Sequence, residues 1–226
     1  MQTRCSLLEE MDKLRRELTL MAALVEENLG KSIAVLKTGD EELAEEVKET
    51  GKIIDTMQIR IEDLAMVLIA TQQPVAGDLR ELVTVFKLTS NLERVDDYGI
   101  HLTRTAVKLS GRPAFRSTER IERMAEIGLE MLKAAFAAYL MRDNEAARKA
   151  AAMDDGIDAE HKALTDEVLD FIKENPKMVK AASRLLRLSG YMERLGDHIT
   201  NICEAIIYMT EGSREDLNPV RLDKDA

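Results

Sequence analysis

Glu93 and Asp97 stand four residues apart in NLERVDDYGIHL (91–102), with Asp96 beside the second. The same Glu-Arg-x-x-Asp frame returns one hundred positions later in YMERLGDHITNI (191–202), as Glu193, Arg194 and Asp197. Asp154 and Asp158 form a third pair at this spacing, and Asp55 stands alone in the matching stretch of the first half. Carboxylates one helical turn apart share a face and repel unless a proton, a basic side chain or a cation neutralises them. The chemistry open to such pairs is the holding of a hard cation, or of iron or zinc through oxygen ligands.

Long helices must carry those acids. Apolar residues make up 45% and charged residues 33%, with 12 Met, four Pro, no Trp and only 4% aromatics, a mixture that favours helix over sheet. Sparse Pro and Gly divide the chain into six segments with apolar residues at i, i+3 and i+4: 5–37, 41–72, 76–109, 116–141, 144–174 and 177–211. Asp40 and Asp143 are natural N-caps, and Pro74 and Pro176 fall where one helix stops and another begins. Short turns make the helices antiparallel hairpins. The breaks recur, Asp40 with Asp143, Pro74 with Pro176, and Ile54-Asp55 with Ile157-Asp158. The expected fold is all-α, two tandem three-helix bundles over 1–112 and 113–212. SGRPAF (110–115) is the junction, and 213–226 reads as a flexible tail.

At about 100° per residue, Leu88, Leu92, Val95, Leu102 and Ala106 share one face of the third helix, and Glu93, Asp97 and His101 the opposite one. The last helix repeats this, with Leu188, Met192, Leu195, Ile199, Ile202 and Ile206 against Glu193, Asp197, Asn201 and Glu204. The acids are thus expected to face away from the core, which for one pair alone means a solvated surface. A turn near Asn175–Pro176 sets Asp158 level with Glu193 and Asp154 level with Asp197, so that four carboxylates meet across a groove. Either Arg194 or a metal could neutralise them. In the first half Asp55 stands level with Glu93, but Asp97 faces Gly51. That cluster reads as one acid short and as recruiting Glu62, Asp96 or His101. Asn201 and Glu204 are further candidates in the second half. A di-iron core site is excluded, because no second Glu-x-x-His accompanies Asp158 and His161.

Other function classes find little support. The formal net charge is −10 with no basic stripe, which argues against nucleic acid as a ligand. The N-terminus lacks an apolar signal region, and the apolar runs 64–70 and 134–141 are too short to span a bilayer. Cys5 and Cys203 build no disulfide framework, so a cytoplasmic protein with two free thiols is expected. No phosphate loop, nucleophile elbow or triad of histidines appears, and the chain does not read as an enzyme. His161 reads as a satisfied core or boundary histidine, His198 as a surface one, and the methionines as adaptable core filling.

QQPVAGDLRELVTVFKLTSNLERVDD (72–97) and LLRLSGYMERLGDHITNICEAI (185–206), with the doubled three-helix organisation, resemble the PhoU family of phosphate-signalling regulators over nearly the whole chain. The resemblance implies a cytoplasmic negative regulator of the phosphate-starvation response, often dimeric. Such a protein acts between the ATPase of a phosphate ABC transporter and a membrane sensor histidine kinase. It also implies multinuclear iron or zinc on the bundle surface through E(D)-x-x-x-D motifs, here Glu93/Asp97, Asp154/Asp158 and Glu193/Asp197. Gly51 replaces the first acid of the motif ending at Asp55, and Asp96 replaces the glycine of ERxGD, so the first site is expected to be the poorer. The alternatives are a metal-storing helical protein, or an unliganded scaffold whose acidic faces bind basic partners.

Overall fold

The structure, a computed structural model, describes residues 2–109 and 118–219, with side chains from Leu7 to Lys108 and from Thr118 onward. The side chain of Cys5, the junction SGRPAF and the chain beyond residue 219 lie outside the described residues. Within them run seven α-helices: α1 (Gln2–Thr38), α2 (Glu41–Gln72), α3 (Ala76–Leu109), α4 (Thr118–Met141), α5 (Asn144–Ala151), α6 (Asp154–Glu174) and α7 (Val179–Glu211). A 3-10 turn over Pro176–Met178 joins the last two. The fold is all-α, with α1–α3 forming one bundle and α4–α7 the other.

Local chemistry sets the boundaries. The Asp40 side chain accepts from the amides of Glu42 and Leu43, and that of Asp143 from the amide of Ala146. Such caps are each worth about 1 kcal/mol. Gln73, in the left-handed region at φ 47°, ends α2 just before Pro74. One boundary was not expected: the segment 144–174 is two helices, broken at Ala152–Met153. The Met153 amide there bonds Ala150, three residues back, which tightens the chain into a 3-10 turn. The sequence that follows, Asp154-Asp155-Gly156, has poor helix-interior propensity but suits a new first turn, where carboxylates complement the helix dipole.

Each bundle buries the predicted stripes. Leu14, Leu18 and Leu29 of α1, Ile54 and Ile61 of α2, and Leu88, Leu92 and Leu102 of α3 are essentially inaccessible. Ile121, Leu164, Leu188, Met192, Leu195 and Ile199 do the same in the second bundle. The halves join mainly through α3 and α7, and α1 also touches α4. The main pair is antiparallel: Lys87 lies by Tyr208, Asn91 meets His198, and Tyr98 meets Tyr191. Glu81 adds a polar clasp across the halves. Only 6% exposed, it accepts from Arg15 of α1 at 2.5 and 2.9 Å and from Arg142, after α4, at 2.7 Å.

Candidate functional site

In the second bundle the break before α6 has a direct consequence. It places Asp154 at the head of that helix, 5% exposed, facing α7 at Gly196. Gly196 is what admits it, since a Cβ there would run into Asp154 Oδ1. That oxygen has no hydrogen-bond partner, whereas Oδ2 accepts from Asn218 Nδ2 at 3.2 Å. The same amide donates to Asp197 Oδ1 at 2.9 Å. Burial first, then the charges of Asp158, Asp197 and Glu193, push the Asp154 carboxyl up to about 7. Glu193 is raised by burial and by Asp197, with His161 and Arg194 opposing. The four carboxylates predicted to meet across the α6–α7 groove do sense one another.

Residues 213–219 close over this groove. Glu215 pairs with Arg148 of α5 at 2.6 Å, the Leu217 amide donates to Glu204 Oε1 at 2.9 Å, and Asn218 bridges the two aspartates. Glu204 is therefore engaged by the tail, and Asn201 is exposed. His161 is satisfied as expected, its Nδ1 lying 2.7 Å from Ser189 Oγ.

The first bundle builds its cluster the other way round. Here the buried acid is Asp96 of α3, 3% exposed, and the glycine opposite is Gly51 of α2. A Cβ on Gly51 would lie 3.0 Å from Asp96 Oδ2 and 2.5 Å from Ile100 Cδ1. Asn28 of α1 donates to Asp96 Oδ1 at 2.7 Å and to the Val47 carbonyl at 3.0 Å. Burial pushes the Asp96 carboxyl up to about 7 against the Asn28 hydrogen bond, with Asp97, Asp55 and Glu93 adding to the rise. Asp55 is raised by burial and by Asp97. Glu93 is raised by burial and Asp97, and also by Asp55 and Glu62, against Arg94. Glu62 accepts from Gln58 and Thr89 on the same side.

Gly51 and Asp96 in the first half thus correspond to Asp154 and Gly196 in the second. One buried carboxylate and one facing glycine occur in each half, carried on opposite helices of the hairpin. Of Glu62, Asp96 and His101, the recruits expected to make up for the acid missing at Gly51, Asp96 of α3 is the one that faces that glycine. Glu93, Asp97, Glu193 and Asp197, expected to face away from the core, are each partly exposed, while Asp96 and Asp154 beside them are buried. His101 does not join the carboxylates. It stacks on Tyr191 at 4.8 Å in an α3–α7 aromatic group that includes Tyr98. His198 is half-buried rather than on the surface, its Nδ1 2.8 Å from Asn91 Oδ1. Burial lowers its pKa, with Asp197 opposing.

The donor chemistry suits a hard cation, or iron or zinc held by oxygen. Each half gathers four mutually repelling carboxylates, and Asp154 keeps a buried oxygen unsatisfied. Among the described residues, no three His, Cys, Asp or Glu side chains already converge as a ligand set. Ion binding would require rotamer changes and, in the second half, release of Asn218.

The PhoU domain family model matches residues 18–106 and 121–206, once per bundle. A phosphate-specific transport system accessory protein PhoU homolog of Clostridium acetobutylicum is 32% identical over 210 residues, covering 92% of this chain and 96% of the relative. One from Rhizobium meliloti is 34% identical over 207 residues, covering 91% and 87%. The crystal structure of the phosphate transport system regulatory protein PhoU from Streptococcus pneumoniae superposes with a TM-score of 0.85 at 26% identity, covering 93% of this chain and 99% of that one. PhoU from Pseudomonas aeruginosa gives 0.85 at 28% identity, covering 91% and 99%.

Proposed function

Because the chain belongs to the PhoU domain family, we propose that it is an accessory regulator of a phosphate transport system, restraining uptake and the phosphate-starvation response. In this reading it is an adaptor without catalytic chemistry of its own. It acts in the cytoplasm, as a homodimer, between the transporter ATPase and a membrane sensor histidine kinase. The observation that carries it is the match of both bundles to one domain, shared with accessory-protein relatives over nearly their full length. Among the described residues, no helix is long and apolar enough to cross a membrane, which fits a protein recruited to membrane partners by contact. Deleting the gene should switch on phosphate-scavenging genes in phosphate-replete medium, and a plasmid copy should silence them again. Unchanged expression in the deletion strain would refute the regulatory reading.

The orphaned oxygen of Asp154 favours a second element, ion binding by the carboxylate clusters. Asp154, Asp158, Glu193 and Asp197 would hold iron or zinc in one half, and Asp55, Glu93, Asp96 and Asp97 in the other. The metal would neutralise the mutual repulsion and modulate the adaptor. Elemental analysis after purification without a metal-affinity step is expected to find iron or zinc in stoichiometric amounts. A metal-free protein whose melting temperature ignores iron, zinc and EDTA would remove the ion from the account.

A further inference from the structure

A groove of about 440 Å³ opens between the C-terminal end of α3 and the N-terminal half of α7. In a chain of net charge −10 it is lined by four cations, Lys108 from α3 and Lys180, Arg184 and Arg187 from α7. The three on α7 sit at i, i+4 and i+7, a row about 10 Å long at 1.5 Å per residue. Among the described residues, none of the four takes a carboxylate partner, in contrast to cations such as Lys13, Arg120 and Arg148, which do. Like charges one turn apart destabilise a helix unless something neutralises them.

The fold itself does not ask for this row. One hundred residues earlier the equivalent positions are Arg80, Thr84 and Lys87, and Tyr208 stands where Lys108 would. That end is covered by the chain: Gly212 packs beside the Arg80 guanidinium, and Lys87 and Arg214 lie 5.7 Å from the centre of the Tyr208 ring. Among the described residues, the Lys108–Arg187 end carries two more cations at these equivalent positions, and a groove where the other end has that cover.

We propose that this groove binds an extended anion carrying several phosphate groups, an oligophosphate chain either free or as the arm of a nucleotide. Guanidinium groups bind phosphate oxygens in bidentate fashion, and a chain of linked phosphates matches a row of cations 10 Å long where a single phosphate meets one or two. An acidic peptide fits less well. Exposed ion pairs alone contribute little, and the groove's one aliphatic side chain, Leu188, is fully buried and offers no anchor pocket. The Ser183 and Thr105 hydroxyls donate to carbonyls of their own helices, so recognition rests on the cations, with Tyr191 at the wall.

Calorimetric titration in low salt with EDTA, which keeps metal ions from bridging anions to the acidic clusters, tests the proposal on the full chain. Tripolyphosphate should bind near one per chain and weaken steeply with added salt. Arg184→Gln with Arg187→Gln should weaken it at least tenfold while the melting temperature holds, and Lys87→Gln at the opposite end should leave it unchanged. ATP binding more tightly than tripolyphosphate assigns the ligand to nucleotides, and weaker binding assigns it to inorganic chains. The proposal is overturned by any of four results: no tripolyphosphate binding, equal affinity for orthophosphate, equal affinity for a polyglutamate peptide, or the same loss in Lys87→Gln. None of these outcomes touches the regulatory reading, which is tested by gene expression.

Discussion

Exchanging Gly51 and Asp96, singly and together, probes the equivalence of the two carboxylate clusters. Gly51→Asp alone sets a Cβ 2.5 Å from Ile100 Cδ1, the movable end of a side chain, an overpacking worth about 1–3 kcal/mol. It also brings a second carboxylate beside Asp96, whose own carboxyl is already pushed up to about 7. Two such charges about 4 Å apart repel by about 4 kcal/mol at an effective dielectric near 20, less whatever protonation relieves. A net loss of roughly 3–5 kcal/mol is expected. Asp96→Gly alone removes a partner of Asn28 and puts a glycine mid-helix, costing about 1 kcal/mol on that count. In the double variant the repulsion is gone and the half adopts the arrangement of Asp154 and Gly196. Its destabilisation should fall short of the summed single losses by about 2–4 kcal/mol. Urea unfolding of the four proteins at pH 7.5 in EDTA, followed by circular dichroism at 222 nm, measures the coupling. Losses that add to within about 0.5 kcal/mol would refute the exchange.

Asp154→Asn removes a carboxyl whose folded pKa lies far above its unfolded value, so its ionisation opposes folding. The penalty is absent below about pH 4 and complete above about pH 7, and the variant should gain on the wild type by roughly 4 kcal/mol across that window in EDTA; a pH-independent difference would contradict this. Glu81→Gln should cost about 2 kcal/mol at neutral pH by urea titration. Burial alone would raise Glu81, but Arg15 and Arg142 outweigh it and hold the carboxyl below its usual range. Its stabilisation is therefore present above the unfolded pKa and lost as pH falls through the folded one, so the cost of the substitution should shrink in acid. If the clusters hold metal, Asp96→Asn and Asp154→Asn should lower the bound iron or zinc by similar fractions, read by elemental analysis; loss confined to Asp154→Asn would restore the unequal sites that the sequence suggested.

Most helix boundaries and the hairpin order were legible because each rests on local signals: the Asp40 and Asp143 caps, the stops at Pro74 and Pro176, and unbroken apolar stripes such as Leu188–Ile206. The break at Ala152–Met153 was not, since a 3-10 turn between two helical stretches leaves the apolar period nearly in phase. The level pairing of Asp154 and Asp158 with Asp197 and Glu193 followed from hairpin geometry alone. What periodicity could not supply was depth. A helical wheel gives direction from the axis, whereas Asp96 and Asp154 are buried because a glycine on the facing helix lets each carboxylate in. Read separately, Gly51 and Asp96 look like two defects; only their contact in space makes them one substitution shared between helices. The basic groove escaped notice for a related reason, because Lys108 lies some seventy residues from Lys180 and overall net charge averages such a cluster away. Asn218, in a segment that looked like tail, became relevant only once the chain had turned back over the α6–α7 groove.

Adaptor function predicts physical contact with both ends of the signalling path. Size-exclusion chromatography with light scattering of the purified chain, the transporter ATPase and the soluble portion of the sensor kinase tests that most directly. The account predicts that the chain co-elutes with each partner, and that ATPase and kinase share a peak only when the chain is present. Elution of this protein apart from both, under conditions where each is folded and active, would contradict it.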